Sequence, residues 1–172
     1  MFVRVLGIDP GLTRCGYAVI DATSATQVTA RAMGVLRTPA TDPLPNRLAD
    51  LRRELAALIA EHRPHVVAVE QVFFQVNVRT AMSVGQASGL ALAEAAASGC
   101  EVHQYTPSQV KSAVVGTGSA TKQQVQHMVK ARLALSGLPR PADAADAAAL
   151  ALCHIATTPL RRSVALARGT SR

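Results

Sequence analysis

Residues 3–21, VRVLGIDPGLTRCGYAVID, decide how the rest of the chain is read. Val3, Val5, Leu6 and Ile8 form an apolar, β-branched run that ends at Asp9. Pro10 and Gly11 force a turn, and Cys15 to Ile20 resumes as a second strand, so the stretch predicts a hairpin. Its first strand delivers a carboxylate at its end. An ionised carboxylate taken out of water needs a partner. For Asp9 that partner is either the turn before Pro10 or a counter-charge such as a metal cation. The hairpin alone leaves both open.

Working outward, Gln27 to Thr38 alternates loosely and completes a three-stranded meander. Pro39, Pro43 and Pro45 make Thr38 to Asn46 a loop. Arg47 to His62 carries Leu48, Leu51, Leu55, Leu58 and Ile59 at helical spacing, and Pro64 ends that helix. Val66 to Val69 is a short continuous apolar run, the mark of a strand buried on both faces, and it ends at Glu70. A second central strand thus delivers a second carboxylate. Phe73 and Phe74 follow; aromatic side chains here either pack inward or stack on an unpaired base.

Asn77 to Ser98 predicts a long helix poor in bulky side chains. Its Gly85 and Gly89 suggest close helix packing, within the domain or across a dimer interface. Glu101 to Tyr105 is a short strand. Thr106 to Gln109 and Thr121 to Gln124 are capping boxes, and the helices they open carry Lys111 and Lys122. A cation in the first helical turn opposes the macrodipole, at a cost of roughly a few tenths of a kcal/mol. A phosphate facing Lys122 would account for it, as would simple solvation. Pro139 and Pro141 break the chain before Ala142 to Ala156, a nearly all-apolar helix carrying Asp143 and Asp146. Three residues apart, these two acids project from one face. Residues 1–158 read as one domain; residues 159–172, with four arginines and no acid, read as a basic tail.

Composition bounds the function. A chain of 172 residues can bury its own core, here aliphatic, since only 3% of residues are aromatic. Cys15, Cys100 and Cys153 are odd in number and lack metal spacing, which predicts buried reduced thiols in a reducing compartment. Cys153 adjoins His154, but a two-member pair on an apolar run reads as core packing. No apolar run reaches the ~20 residues of a membrane span, so a cytoplasmic location is expected. The net charge of +7 favours a polyanionic partner, nucleic acid first.

Against that basic background, Asp9, Glu70, Asp143 and Asp146 stand among apolar or small residues. If the first and fourth strands lie side by side, all four meet at the strand ends, where open α/β sheets bind ligands. Oxygen-only ligation suits Mg²⁺ or Mn²⁺. Two such ions about 3.5–4 Å apart stabilise the entering and departing oxygens of a phosphodiester displacement.

LGIDPG with GYAVI, AVEQVF, QVK, VVGTGSA before Lys122 and QQVQHMV, and ADAADAAALA occur together in a characteristic order and spacing. In these motifs the chain resembles the RuvC family of bacterial crossover-junction (Holliday junction) endonucleases across residues 3–158. The resemblance implies an α/β, ribonuclease-H-like fold: a five-stranded mixed sheet flanked by helices. It implies a metal site of Asp9, Glu70, Asp143 and Asp146; some family members carry His at the position of Asp143. It implies two Mg²⁺ ions per subunit, with Mn²⁺ as a substitute. Phe73 matches the family's aromatic residue near the junction centre, while Phe74 has no assigned role. Lys111 and Lys122 match the family's important basic residues, Lys122 among the catalytic ones. A homodimer, paired nicks in a four-way DNA junction during recombination and repair, and the branch-migration partners RuvA and RuvB are likewise implied.

Three rivals remain at this stage. A junction-binding protein without catalysis needs the basic surface but not the acid cluster. A relative of the same fold could cleave RNA-containing substrates. Sugar and acetate kinases share a Gly-Ile-Asp-x-Gly turn, but they need two such domains to enclose a nucleotide.

Overall fold

The computed structural model describes residues 2–71 and 78–158. The elements run β1 (Val3–Asp9), β2 (Arg14–Ala22), β3 (Val28–Arg37), α1 (Leu44–His62), β4 (Val66–Glu70), α2 (Val78–Ala97), β5 (Glu101–Tyr105), α3 (Pro107–Val115), α4 (Lys122–Arg132) and α5 (Ala142–Thr157). The sheet order is β3-β2-β1-β4-β5. The β1-β2-β3 meander is antiparallel, while β4 and β5 join it in parallel, each reached through a helix. The expected five-stranded mixed sheet is therefore present, with the first and fourth strands as neighbours.

Strand alternation divides the core in two. Val3, Val5, Ala18, Ile20, Val66 and Ala68 face α5, backed by α3 and α4. Leu6, Ile8, Val19, Val67 and Val69 face α1 and α2. On that second side, Leu51, Leu55, Leu58 and Ile59 of α1 meet Ala87, Ala91 and Ala95 of α2. Strands β1 and β4 are covered on both faces, which is why residues 5–8 and 66–69 read as runs with no polar side chain.

Some expectations need correction. Helix α1 begins at Leu44, not Arg47: Pro45 falls in its first turn, where a missing N–H costs nothing. Gly85 and Gly89 pack against nothing within 4 Å, so close packing of these glycines inside the domain does not occur among the described residues. Cys100 is only half-buried, its thiol directed at the Pro64 carbonyl oxygen, whereas Cys15 and Cys153 are buried and all three are free. His154 is a core residue: its Nδ1 and the Tyr105 hydroxyl oxygen lie 2.8 Å apart in a buried hydrogen bond. Burial, then the neighbouring His103, lowers its imidazole to about 4, so it is neutral at pH 7.

Helix α5 lies against the sheet backbone to backbone. A Cβ on Gly7 would stand 1.9 Å from the Ala147 carbonyl oxygen, and one on Gly16 2.1 Å from the Asp143 carbonyl oxygen. Neither neighbour can rotate away, because both are main chain. Gly7→Ala is therefore expected to cost about 3 kcal/mol or more, the upper end for overpacking, as read from urea denaturation. A cost below about 1 kcal/mol would show that α5 can lift without penalty.

Candidate active site

Alternation places the first two acids. Val3, Val5 and Gly7 face α5, so Asp9 does too; Val66 and Ala68 do the same for Glu70. In the parallel register Ile8 pairs with Val69, so Asp9 and Glu70 leave the sheet side by side. Gly16 pairs with Asp9 across the hairpin, and its missing side chain lets the first turn of α5 settle there. That turn carries Asp143, with Asp146 three residues on.

All four carboxylates line one cleft of about 440 Å³, together with Lys111 of α3 and Lys122 of α4. Val110, Val125, Ala149 and Leu150 supply its apolar walls. Those walls make charge expensive. Burial first, then Glu70, Asp146 and Asp143, push the Asp9 carboxyl up to about 7, against the pull of Lys122. Burial and then Asp146 raise Glu70.

The two helix acids are engaged by cations. Asp143 accepts from Arg14 Nε at 2.8 Å, and Arg14 Nη2 donates to the same oxygen. Asp146 accepts from Lys122 Nζ at 2.6 Å. That bond raises the Lys122 ammonium above its ordinary value, although burial opposes it. Lys122 in the first turn of α4 is thus explained within the protein by Asp146. Arg14 is the residue that sequence reasoning missed. No local signal marks it: only the Asp9–Gly16 pairing of the folded hairpin puts position 14 at the mouth of the site.

Asp21 shows the alternative way of burying an acid. It is the most buried of the described carboxylates, 6% exposed. Burial raises its carboxyl, but hydrogen bonds from Arg4 and Arg31 outweigh this and hold it below the ordinary value. Asp9 has no such built-in counter-charge. Four carboxylates lining one cleft are an all-oxygen donor set, the kind that suits a hard divalent cation. Among the described residues, no three His, Cys, Asp or Glu side chains close tightly enough around one point to hold an ion. Phe73, Phe74 and the basic tail lie outside the described residues.

A family model described as "Crossover junction endodeoxyribonuclease RuvC" matches residues 5–154. The chain is 53% identical over 170 residues to the protein of that description from Salinispora arenicola, covering 99% of this chain and 97% of that one. It is 48% identical over 165 residues to that from Mycobacterium ulcerans, covering 96% and 90%. Among solved structures, Thermus thermophilus RuvC in complex with a Holliday junction substrate superposes with a TM-score of 0.85 at 34% identity, over 95% of this chain and 97% of that one. The yeast mitochondrial Holliday junction resolvase Ydc2 shares the fold, with a TM-score of 0.66 at 19% identity over 96% and 82%.

The electrostatics carry a stability prediction. Folded Asp9 holds a proton that it would release when unfolded, so its contribution to stability declines as pH rises from 3.8 toward 7. Above that range, its ionisation costs the metal-free fold on the order of 4 kcal/mol. Asp9→Asn is therefore expected to melt higher than the parent in EDTA at about pH 8, with the gap closing at about pH 4. A melting gap independent of pH would mean that Asp9 is not held ionised against its surroundings.

Proposed function

The chain belongs to the RuvC family of crossover junction endodeoxyribonucleases, and we infer that it is a structure-selective endonuclease resolving four-way DNA junctions by paired nicks. The observation that carries this reading is the convergence of four acids, distant in sequence, on one cleft of a chain with net charge +7. A basic surface attracts the DNA backbone; a nest of carboxylates there would repel it unless cations intervene. A binding module gains nothing from such a nest.

Asp9, Glu70, Asp143 and Asp146 are the residues that would hold the ions, which we assign as two Mg²⁺ or Mn²⁺ per subunit. When bound, these ions supply Lewis acidity to the attacking water and to the leaving oxygen of the phosphodiester. Asp9, which feels all three other acids, would be the residue that helps to hold both ions. Glu70 and one of the two helix acids would each complete the ligands of one ion. Lys122 already reaches Asp146 and stands ready to neutralise charge that develops on the phosphate. Lys111, on the wall of the same cleft, is assigned to a neighbouring phosphate. Phe73 is assigned to the opened junction centre, by stacking on or wedging between bases.

Two symmetric cuts need two sites related by a dyad. A homodimer is supported by α2, where Met82 is 61% exposed beside the open positions of Gly85 and Gly89. RuvA and RuvB complete the assigned partners, and the cytoplasm is the assigned location. Among the described residues, no helix is long and apolar enough to cross a membrane.

The test is nicking of a synthetic four-way junction beside a linear duplex and an RNA/DNA hybrid. The junction alone should be cut, only with a divalent cation added. Preferential hybrid cleavage would move the chain to the RNA-cleaving class. Asp9→Asn should bind the junction and leave it intact; full cleavage by this variant rejects the site. Lys122→Ala is expected to lower kcat by about 10²-fold, the scale of losing one charge-stabilising donor, as measured by single-turnover nicking.

A further inference from the structure

The cleft's lysines come from α3 and α4, which follow the edge strand β5. The opposite flank, toward edge strand β3, carries a set of arginines with no role so far. Arg14 on β2 and Arg37 on β3 are paired directly across the antiparallel ladder. Both are exposed. Like charges in that position destabilise a sheet. Arg37 has no hydrogen-bond or ion-pair partner among the described residues to offset this, while Arg14 has only Asp143. Arg47 of α1 reaches the same end of the sheet, donating to the Thr38 hydroxyl at 3.0 Å and the Thr13 hydroxyl at 2.7 Å. Those bonds fix its guanidinium without neutralising it. Asp42, the acid nearest Arg37 and Arg47 in sequence between them, pairs with neither.

The geometry is that of a track. Asp9, Arg14 and Arg37 occupy successive strands at one end of the sheet. Strands are about 4.8 Å apart, so the track spans about 10 Å from the acids to the edge. A DNA strand advances about 3.4 Å per phosphate along its axis, so this length covers about three nucleotides. Resting on the resolvase reading, we propose that Arg37 and Arg47, continued inward by Arg14, bind backbone phosphates of one junction arm and lead it from the cleft across the β3 edge. The contacts are to phosphate, so they add affinity and position without base preference. The unpaired charges that burden the free protein become its contacts in the complex.

Counterion release supplies the test. Each phosphate contact contributes about 0.9 to the slope of log affinity against log salt. Junction affinity is measured by fluorescence anisotropy between about 50 and about 200 mM NaCl, with nicking of the same junction run alongside. Arg37→Gln should lower the slope by about 0.9, and the Arg37→Gln/Arg47→Gln pair by about 1.8. Arg53→Gln, on α1 but paired with Asp50, should leave the slope unchanged. If the double variant melts early through loss of the threonine bonds, the exposed Arg37→Gln alone decides. An unchanged slope for Arg37→Gln with intact wild-type nicking overturns the track only. A wild type that neither binds nor nicks the junction overturns the resolvase reading, and the track with it.

Discussion

Everything in this molecule depends on how closely α5 approaches the sheet. The two meet main chain to main chain at Gly7 and Gly16, with no side chain between them. The helix answers with alanines: Ala144, Ala145, Ala147, Ala148, Ala149 and Ala151 are all buried. Small residues let a helix sit low, and a low helix brings its first turn over the strand ends. Asp143 stands near Asp9 for that reason, although 134 positions separate them by number (143 − 9). Packing in the core and charge at the site are one arrangement here.

The sheet buries carboxylates in two opposite ways. Asp21 carries its counter-ions with it, Arg4 from β1 and Arg31 from β3, and its charge is settled when the chain folds. Asp9 is surrounded by other acids and receives only partial relief from Lys122. The first is a structural ion pair, in which both partners come from the fold. The second leaves a charge deficit at a defined point. Such a deficit is costly in a free protein, and it is a means of recruiting charge from outside. The contrast rests on which side chains surround each acid, because both acids lie on the same three-stranded meander.

Much of this was legible in the residues. The Val66–Val69 run declared a strand buried on both faces, and the Thr106 and Thr121 capping boxes marked helix starts that the structure reproduces with both reciprocal bonds. The four acids could be singled out because each interrupts an apolar segment. What stayed hidden was non-local. The Arg14–Asp143 pair spans 129 positions, and nothing in the sequence near either residue announces the other. Asp21 passed unnoticed as a buried acid because its partners Arg4 and Arg31 sit on neighbouring strands. The glycines misled in a different way. Gly85 and Gly89 drew attention by their helical spacing but meet nothing among the described residues, while Gly7 and Gly16, single glycines inside strands, make the closest approaches. A glycine's purpose lies in what would collide with it, and that is a property of the folded state.

The parallel pairing of β1 with β4 has a consequence for how such a chain can diverge. Ile8 aligns with Val69, so the acids that follow them leave the sheet together only while the residue count along each strand is kept. Removing one residue from β4 would turn Glu70 to the opposite face, yet Val66 to Val69 would still offer an apolar surface on either side. The fold would tolerate a deletion that the chemistry could not. Insertions should therefore collect in segments such as 23–27, beyond the far ends of the strands. The spacing within Val66–Glu70 should stay invariant even where the identities of its valines drift.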